Sequence, residues 1–176
     1  MKTLTLLRHA KSGWDDPVTR DFDRALNPKG ARAAETMGRH VRRLGMTFDL
    51  VVASPAVRVQ ETLQHFAIGL GETLAPQWDR RLYLASEATL LDVVRALPDT
   101  AESVLVAGHN PGLEELVLLL AQAGSLRCEV EAKFPTASVA VLEVGDHWNE
   151  ASRGTARLCR FIRPRDVEPS LGPDFG

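Results

Sequence analysis

The sequence predicts an α/β protein with a mainly parallel sheet and helices on both faces of that sheet. Short apolar runs alternate along the chain with longer segments that carry apolar residues every three or four positions. Several of the longer segments begin with a polar residue followed by proline, which is typical of the first turn of a helix. Strands and helices that alternate in this way usually build a parallel sheet.

Five segments have the pattern of strands. Each is short, rich in β-branched or other apolar residues, and bounded by polar residues or by glycine and proline. Their apolar runs are nearly continuous, which is typical of strands that are buried on both faces of a sheet. The predicted strands are Thr3–Leu7, Asp49–Ala53, Ser103–Ala107, Ser138–Val144 and Leu158–Arg163.

Four segments have the pattern of helices. Asn27 and Pro28 predict the first start, and the apolar periodicity that follows ends near Gly45. Ser86 is the expected cap of the third helix, which Pro98 ends. The predicted helices begin at Asn27, Ser54, Ser86 and Asn110.

Length and composition predict a single domain. The chain has 176 residues, and domains usually hold roughly 100–200 residues. We expect the domain to cover residues 1–163, and the segment 164–176, which is rich in proline and glycine, to be a C-terminal tail.

The overall charge argues against a protein that binds polyanions. The 21 Lys and Arg residues and 23 Asp and Glu residues give a formal net charge of -2, whereas nucleic-acid binding proteins are usually basic. The longest strongly apolar run, Leu116–Ala121, is too short to cross a bilayer. Arg8 and His9 interrupt the N-terminal apolar run before a signal peptide can form. We therefore expect no nucleic-acid partner, no membrane partner and a cytoplasmic location.

Reactive side chains follow three of the predicted strands. Arg8 and His9 follow the first strand, Arg58 lies one turn into the helix after the second, and His109 follows the third. Because ligands of parallel sheets bind beyond the carboxyl ends of the strands, we expect these four side chains to meet. Two guanidinium groups are suited to grip a phosphate through paired hydrogen bonds.

The two histidines complete a set of groups for phosphoryl transfer. One imidazole can attack phosphorus and carry the phosphoryl group. A second, protonated imidazole can neutralise the charge that spreads over the oxygens in the transition state. We expect no metal or other cofactor, because the arginines supply positive charge and the chain lacks a GxxxxGK[ST] loop and a His-x-x-x-His pair.

Three motifs surround these residues in a fixed order. They are Leu-Leu-Arg-His-Ala at 6–10, Ser-Pro-Ala-Val-Arg-Val-Gln-Glu-Thr at 54–62 and Gly-His-Asn-Pro-Gly at 108–112. The ordered set resembles the histidine phosphatase superfamily, the relatives of cofactor-dependent phosphoglycerate mutase. The small chain and the stretches 8–12 and 21–27 resemble the SixA-type branch, the phosphohistidine phosphatases. The resemblance implies a three-layer αβα sandwich with a mostly parallel central sheet.

The resemblance also implies a role for each residue of the set. His9 matches the nucleophile that becomes phosphorylated. Arg8 and Arg58 match the arginines that grip the phosphate, and His109 matches the second histidine, which contacts the phosphate. Ser12 is a further candidate for phosphate contact, and it equally suits a turn.

The general acid of the superfamily has no clear counterpart in this chain. Many members carry Glu or Asp after the segment that here reads Leu-Tyr-Leu at 82–84, where this chain has Ala and Ser. Glu87, Glu114 and Glu115 are candidate proton donors, but acidic residues are common in the first turns of helices for electrostatic reasons alone. Since a phosphohistidine nitrogen leaves with little protonation, the missing acid favours an N–P substrate over a sugar phosphate.

The sequence therefore predicts a metal-independent phosphatase that works through a phosphohistidine intermediate and acts on protein phosphohistidine. One alternative is a phosphomonoesterase of the same superfamily that acts on a small phosphorylated metabolite. Another is a phosphate- or phosphoprotein-binding module without turnover. For Arg58, the structural alternative is an ion pair with Glu61 or Glu35 on a helix surface. The aspartates of the loop 11–26 are expected to pair with basic residues of the same loop.

Overall fold

A six-stranded sheet forms the centre of the protein in the computed structural model, which describes residues 1–13, 17 and 19–172. Across the sheet the strands follow the order β3-β2-β4-β1-β5-β6. The four strands from β3 to β1 are parallel, whereas β5 is antiparallel to both β1 and β6. The strands are β1 (Thr3–Arg8), β2 (Leu50–Ala53), β3 (Gln77–Trp78), β4 (Ser103–Gly108), β5 (Val139–Glu143) and β6 (Arg157–Ile162).

Helices cover both faces of this sheet. Residues of α1 and α2 share one core, and residues of α3, α4 and α5 share the other. Within the described part of the chain, no helix combines the length and the apolar character needed to cross a membrane. The helices are α1 (Pro28–Arg43), α2 (Val57–Leu70), α3 (Glu87–Arg95), α4 (Gly112–Leu120), α5 (Ser125–Ala132) and α6 (Pro164–Val167).

The central strands divide their side chains between the two cores. On β4, Val104 and Val106 belong to the core under α3 and α4, whereas Leu105 and Ala107 belong to the core under α1 and α2. Successive strand residues point to opposite faces, so a continuous apolar run buries both faces at once. This arrangement confirms the predicted three-layer αβα sandwich with a mostly parallel sheet.

Two of the predicted helix caps are confirmed, and in both the capping hydrogen bond joins residues three positions apart. The side chain of Asn27 accepts the N–H of Gly30 at 2.8 Å, and Ser86 Oγ accepts the N–H of Thr89 at 3.3 Å. The predicted cap at Ser54 is wrong, because α2 begins at Val57 without a side-chain cap.

The fourth predicted helix start is shifted rather than absent. Helix α4 begins at Gly112, and Asn110 Oδ1 still accepts the N–H of Glu114 at 3.2 Å. Two further elements, β3 and α5, were not predicted. Strand β3 has only two residues, and α5 is a short helix in which Val130 alone is buried.

Part of the segment that was expected to be a tail packs against the domain. Residues 164–172 form α6 and a 3-10 turn, and Leu171 is buried in the core that contains α1. Thr36 on α1 also donates its hydroxyl proton to Glu168 at 3.3 Å. Apolar side chains, among them Leu171 and Val167, thus anchor a segment whose composition alone suggested a free end. Residues 173–176 lie outside the described part of the chain.

Helices α1 and α2 are in backbone contact at two glycines. A Cβ atom added at Gly38 would overlap the carbonyl oxygen of Phe66, and one added at Gly69 would overlap the carbonyl oxygen of Glu35. Only glycine allows the backbones of the two helices to approach this closely.

The substitution Gly38→Ala is expected to lower the free energy of unfolding by roughly 1–3 kcal/mol, because the added methyl group must push two helix backbones apart. Gly124→Ala is a matched control, since Gly124 has an extended φ of 168° and its added Cβ would have no neighbour within 4 Å. Urea denaturation of both variants checks the prediction, and equal losses of stability would contradict it.

Candidate active site

The carboxyl ends of β1 and β4 bring two histidines together. The strands pair in parallel with Arg8 opposite Gly108, so the residues that follow them leave the sheet at the same level. The imidazole centroids of His9 and His109 are 5.4 Å apart and their planes are inclined by 54°. Two residues that are distant in the sequence therefore form one pair, as the strand pattern predicted.

Helix α2 adds the second arginine of the predicted set. Arg58 lies in the first turn of this helix and is only 2% exposed. The alternative surface ion pair does not form. Glu61 instead accepts the N–H of Leu26, and Glu35 pairs with Arg39.

Arg8 lies at the end of β1 and is held from the side of the loop after α5. Its Nη1 donates to the carbonyl oxygen of Phe134 at 3.0 Å, and the side-chain amide of Asn110 donates to the same oxygen at 3.0 Å. This shared carbonyl ties the turn after β1 to the turn after β4. The charge of Arg8 acts on both His9 and His109.

Hydrogen bonding sets the tautomer of His9. Its Nδ1 lies 2.7 Å from the carbonyl oxygen of Ala10, and a carbonyl oxygen can only accept, so Nδ1 carries the proton. The lone pair is then on Nε2, the nitrogen that a nucleophilic histidine needs. The N–H of Ala10 donates to Thr62 Oγ1, whose own proton goes to the carbonyl oxygen of Arg58. The turn that carries His9 is therefore tied to the first turn of α2.

His109 has the opposite tautomer. Its Nδ1 lies 3.3 Å from Nη2 of Arg58, which can only donate, and its Nε2 lies 2.8 Å from Ser54 Oγ. His109 therefore accepts at Nδ1 and donates from Nε2 to Ser54. The Ser54 hydroxyl thus contacts the histidine as well as the N–H of Ala56, from which it accepts at 3.3 Å. Sequence reasoning missed Ser54 as a site residue, although it lies in the second motif.

Both imidazoles are neutral at pH 7. Burial lowers the pKa of His9 from 6.5 to about 3, assisted by the nearby charge of Arg8 and partly opposed by the hydrogen bond to Ala10. Burial likewise lowers the pKa of His109 to about 3, assisted by the charge of Arg58. The neutral state of His109 differs from the protonated second imidazole that the sequence predicted. The physical reason is that each ring is buried among guanidinium groups.

The largest addition to the predicted site is Asp21, in the 3-10 turn Asp21–Asp23. Its Oδ2 accepts a hydrogen bond from Nη2 of Arg58 at 3.0 Å and another from the hydroxyl of Tyr83. Burial raises the pKa of Asp21, but hydrogen bonds from Tyr83 and Arg58 outweigh it and bring the pKa to about 2. Asp21 is therefore a carboxylate in contact with the site. The only sequence signal was its place at the start of the stretch 21–27.

The predicted ion pairs of the loop 11–26 are present in part. Arg24 pairs with Asp21 at 3.0 Å, and Arg20 pairs with Asp23 at 2.8 Å. The contact from Asp21 to Arg58 was not predicted, because these residues are 37 positions apart. The aspartates at 15 and 16 lie outside the described residues.

An aromatic side chain forms one wall of the site. The ring of Tyr83 packs edge-on against His109, with centroids 5.4 Å apart, and edge-on against Phe22 at 5.0 Å. Sequence reasoning used the segment 82–84 only as a marker for the missing acid and did not assign Tyr83 to the site.

The remaining candidates have other contacts. Ser12 Oγ accepts a hydrogen bond from Arg24 at 2.6 Å, which gives this hydroxyl a local partner. Glu115 lies beside Glu87, and their hydrogen bond raises the pKa of Glu115. Among residues 1–13, 17 and 19–172, no hydrogen bond or ion pair joins Glu87, Glu114 or Glu115 to the two site histidines.

Comparison with known proteins places the chain in a family. The family model of the histidine phosphatase superfamily (branch 1) matches residues 4–83. An uncharacterized protein of Mycobacterium tuberculosis is 35% identical over 164 residues, which cover 90% of this chain and 100% of the relative.

Solved structures show the same fold. A Nakamurella multipartitia protein named after the phosphohistidine phosphatase SixA superposes with a TM-score of 0.81 at 30% identity, over 93% of this chain and 96% of that chain. A protein of Agrobacterium tumefaciens with the same name superposes with a TM-score of 0.76 at 30% identity, over 93% and 98%. The fold and these matches define an enzyme of the phosphatase class. The chain belongs to the histidine phosphatase superfamily.

Histidine titration followed by NMR checks the electrostatics of the site. The rings of His9 and His109 are expected to stay neutral down to about pH 4, because the pKa of each is about 3. His147 is an internal reference, since its hydrogen bond with Asp99 raises its pKa above 6.5. Protonation of either site histidine near pH 6.5 would contradict the assignment.

The same shifts make the stability of the protein depend on pH. The unfolded chain binds protons at these histidines below pH 6.5, whereas the folded protein does not until about pH 3. The two histidines therefore stabilise the fold fully above pH 6.5. As the pH falls toward 3, the free energy of unfolding is expected to decrease by about 1.4 kcal/mol per pH unit for each ring. His109→Gln should reduce this slope in urea denaturation at a series of pH values.

Proposed function

We propose that the protein removes the phosphoryl group from phosphohistidine on a protein, through a phosphorylated His9. The observation that carries this proposal is the pair of His9 and His109 beside the buried guanidinium of Arg58. A module that only binds phosphate needs cations, but it has no use for a neutral imidazole with a free nitrogen in the same pocket.

In the first step, Nε2 of His9 attacks phosphorus in line with the bond to the leaving nitrogen. The hydrogen bond from Nδ1 to the carbonyl oxygen of Ala10 keeps the ring in the reactive tautomer and stabilises the positive charge that develops on it. A bond forms between His9 and phosphorus, and the bond from phosphorus to the substrate imidazole breaks. The substrate histidine leaves as an imidazole and takes up a proton from water.

The guanidinium groups of Arg8 and Arg58 stabilise the oxygens of the transferring group. Phosphoryl transfer depends mainly on placement and on positive charge around these oxygens. A bound dianion also raises the pKa of a nearby imidazole, since opposite charges favour the protonated form. His109 is neutral in the protein alone and accepts from Arg58 at Nδ1. When Nη2 of Arg58 turns to a phosphoryl oxygen, Nδ1 takes up a proton, while Ser54 still accepts from Nε2.

In the second step, water attacks the phosphorus of phosphorylated His9. The bond from phosphorus to Nε2 breaks, inorganic phosphate leaves, and His9 returns to its neutral form. No carboxylate among the described residues contacts either histidine through a hydrogen bond. The site therefore suits a leaving group that departs with little protonation, and a phosphohistidine nitrogen is such a group. The similarity to proteins named after SixA supports the same substrate class.

A phospho-enzyme trap tests the nucleophile. With an activated aryl phosphate labelled on phosphorus, the wild-type protein is expected to carry acid-labile label after rapid quenching, because phosphohistidine is acid-labile. His9→Ala is expected to carry none, while His65→Ala, a histidine on α2 beside Glu35, keeps the label. Equal labelling of His9→Ala and the wild type would refute the proposed nucleophile.

Arg58→Ala is expected to lower kcat by at least ~100-fold, because it removes a donor to the transition state. Arg157→Ala is a matched control, since Arg157 is exposed on β6 and pairs with Glu143. Steady-state kinetics with the aryl phosphate measures both variants. A change of less than threefold in Arg58→Ala would remove this residue from the site.

Substrate preference is tested with a phosphorylated histidine protein against a panel of sugar and nucleotide phosphates. The expected result is a higher kcat/KM for the phosphohistidine protein. A higher kcat/KM for one of the metabolites would show a small-molecule phosphomonoesterase. Phosphate binding without turnover of any substrate would leave only a binding module.

A further inference from the structure

Asp21 accepts hydrogen bonds from both terminal nitrogens of the Arg58 guanidinium. Nη1 of Arg58 donates to the backbone carbonyl oxygen of Asp21 at 2.7 Å, and Nη2 donates to its Oδ2 at 3.0 Å. A single residue thus accepts from both terminal nitrogens, once through its backbone and once through its side chain. This double contact restricts rotation of the planar group about its last bonds.

The other edge of the guanidinium is turned toward the histidine pair. Nε and Nη2 lie along one edge of any arginine fork, and this edge matches two oxygens of a phosphoryl group. In Arg58, Nη2 also lies 3.3 Å from Nδ1 of His109, and Nε is buried without a hydrogen-bond partner. A buried N–H without an acceptor lowers the stability of the protein, because it has lost its hydrogen bond to water. A ligand oxygen that accepts from Nε restores this hydrogen bond, which favours binding. Asp21 does not contact this edge. A phosphoryl oxygen that binds there meets the unpartnered Nε, and a second one takes the place of His109 Nδ1 at Nη2.

Asp21 is itself held from two further sides. Nε of Arg24 donates to its Oδ1 at 3.1 Å, and the hydroxyl of Tyr83 donates to its Oδ2. Arg24 in turn donates to Ser12 Oγ at 2.6 Å. Arg24 of the same loop and Tyr83 before α3 thereby hold the carboxylate in place. The side chain of Asp21 is 39% exposed, whereas that of Arg58 is 2% exposed.

We propose that Asp21 is a positioning residue that orients Arg58, so that the Nε and Nη2 edge faces His109 and the phosphoryl group. This inference rests on the role proposed above for Arg58. The competing possibility is that Asp21 occupies the phosphate position and must leave before substrate binds. The contacts favour positioning, because Asp21 binds the end of the fork and not the edge beside His109.

Three variants test the role of Asp21 with the aryl phosphate. Asp21→Ala is expected to lower kcat/KM by about 10- to 100-fold, because a small misplacement of a catalytic group has effects of this size. Asp21→Asn should lose less, since an amide oxygen still accepts from Arg58. Asp23→Asn is the matched control, because Asp23 lies in the same turn and pairs with exposed Arg20. It should stay within about twofold of the wild type.

Inorganic phosphate as a product inhibitor separates positioning from competition. If Asp21 positions Arg58, the inhibition constant for phosphate rises in Asp21→Ala together with the loss of kcat. If Asp21 competes with phosphate, the same variant binds phosphate more tightly, and this result would overturn the inference.

A double-mutant cycle with Arg58 gives the decisive readout. In the Arg58→Ala background, Asp21→Ala should lower kcat/KM by no more than about twofold, because a residue that acts through Arg58 has nothing left to orient. A full additional loss in that background would show that Asp21 acts independently of Arg58, and would overturn the inference.

A second variant covers the case in which Asp21→Ala does not fold. Tyr83→Phe removes only the hydroxyl that holds Asp21 and keeps the ring against His109. It should lower kcat/KM by about 3- to 10-fold in the wild type and cause no further loss of kcat/KM in the Arg58→Ala background.

If Arg58→Ala changes kcat by less than threefold, the role proposed above for Arg58 fails, and this inference fails with it, while the labelling of His9 still decides the proposed function. If Arg58→Ala has the expected effect while Asp21→Ala and Tyr83→Phe have none, only the role of Asp21 fails.

Discussion

The site depends on a buried positive charge. The guanidinium of Arg58 is almost fully covered, and a buried cation is stable only when anionic or polar groups surround it. Asp21 supplies the anion, and His109 supplies a neutral acceptor. Burial lowers the pKa values of both histidines, and the charge of Arg58 adds to this effect, so Nε2 of His9 stays available as a nucleophile. The Arg58 cation thus contributes both to the hydrogen bonds that hold the site together and to the neutral state of the nucleophilic histidine.

The sheet and the first two helices hold this cation in place. Parallel pairing of β1 with β4 sets the two histidines at one level. Close backbone contact at Gly38 and Gly69 packs α1 against α2, the helix that carries Arg58. The hydrogen bonds through Ala10 and Thr62 then connect the end of β1 to the first turn of α2. Apolar burial on both faces of the sheet supplies the driving force for an arrangement that brings several like charges close together.

Prediction from the sequence succeeded where the signal is local. The caps at Asn27 and Ser86 were found because each hydrogen bond spans three residues. The cap at Ser54 was wrong because α2 begins only at Val57. The hydroxyl of Ser54 also bonds to a histidine 55 positions away, which no local pattern records. The packing of residues 164–172 was missed for a similar reason, since it depends on where Leu171 meets a core built by distant helices.

By itself, the sequence determined the strand–helix alternation, the ends of the strands and hence the meeting of Arg8, His9, Arg58 and His109. These features follow from apolar periodicity and from the rule that parallel strands end at a common edge. Only the tertiary structure decided that Asp21, Ser54 and Tyr83 join the site and that both imidazoles are neutral. Such contacts and pKa shifts arise from burial and from charges that the whole fold brings together, so they have no signature in neighbouring residues.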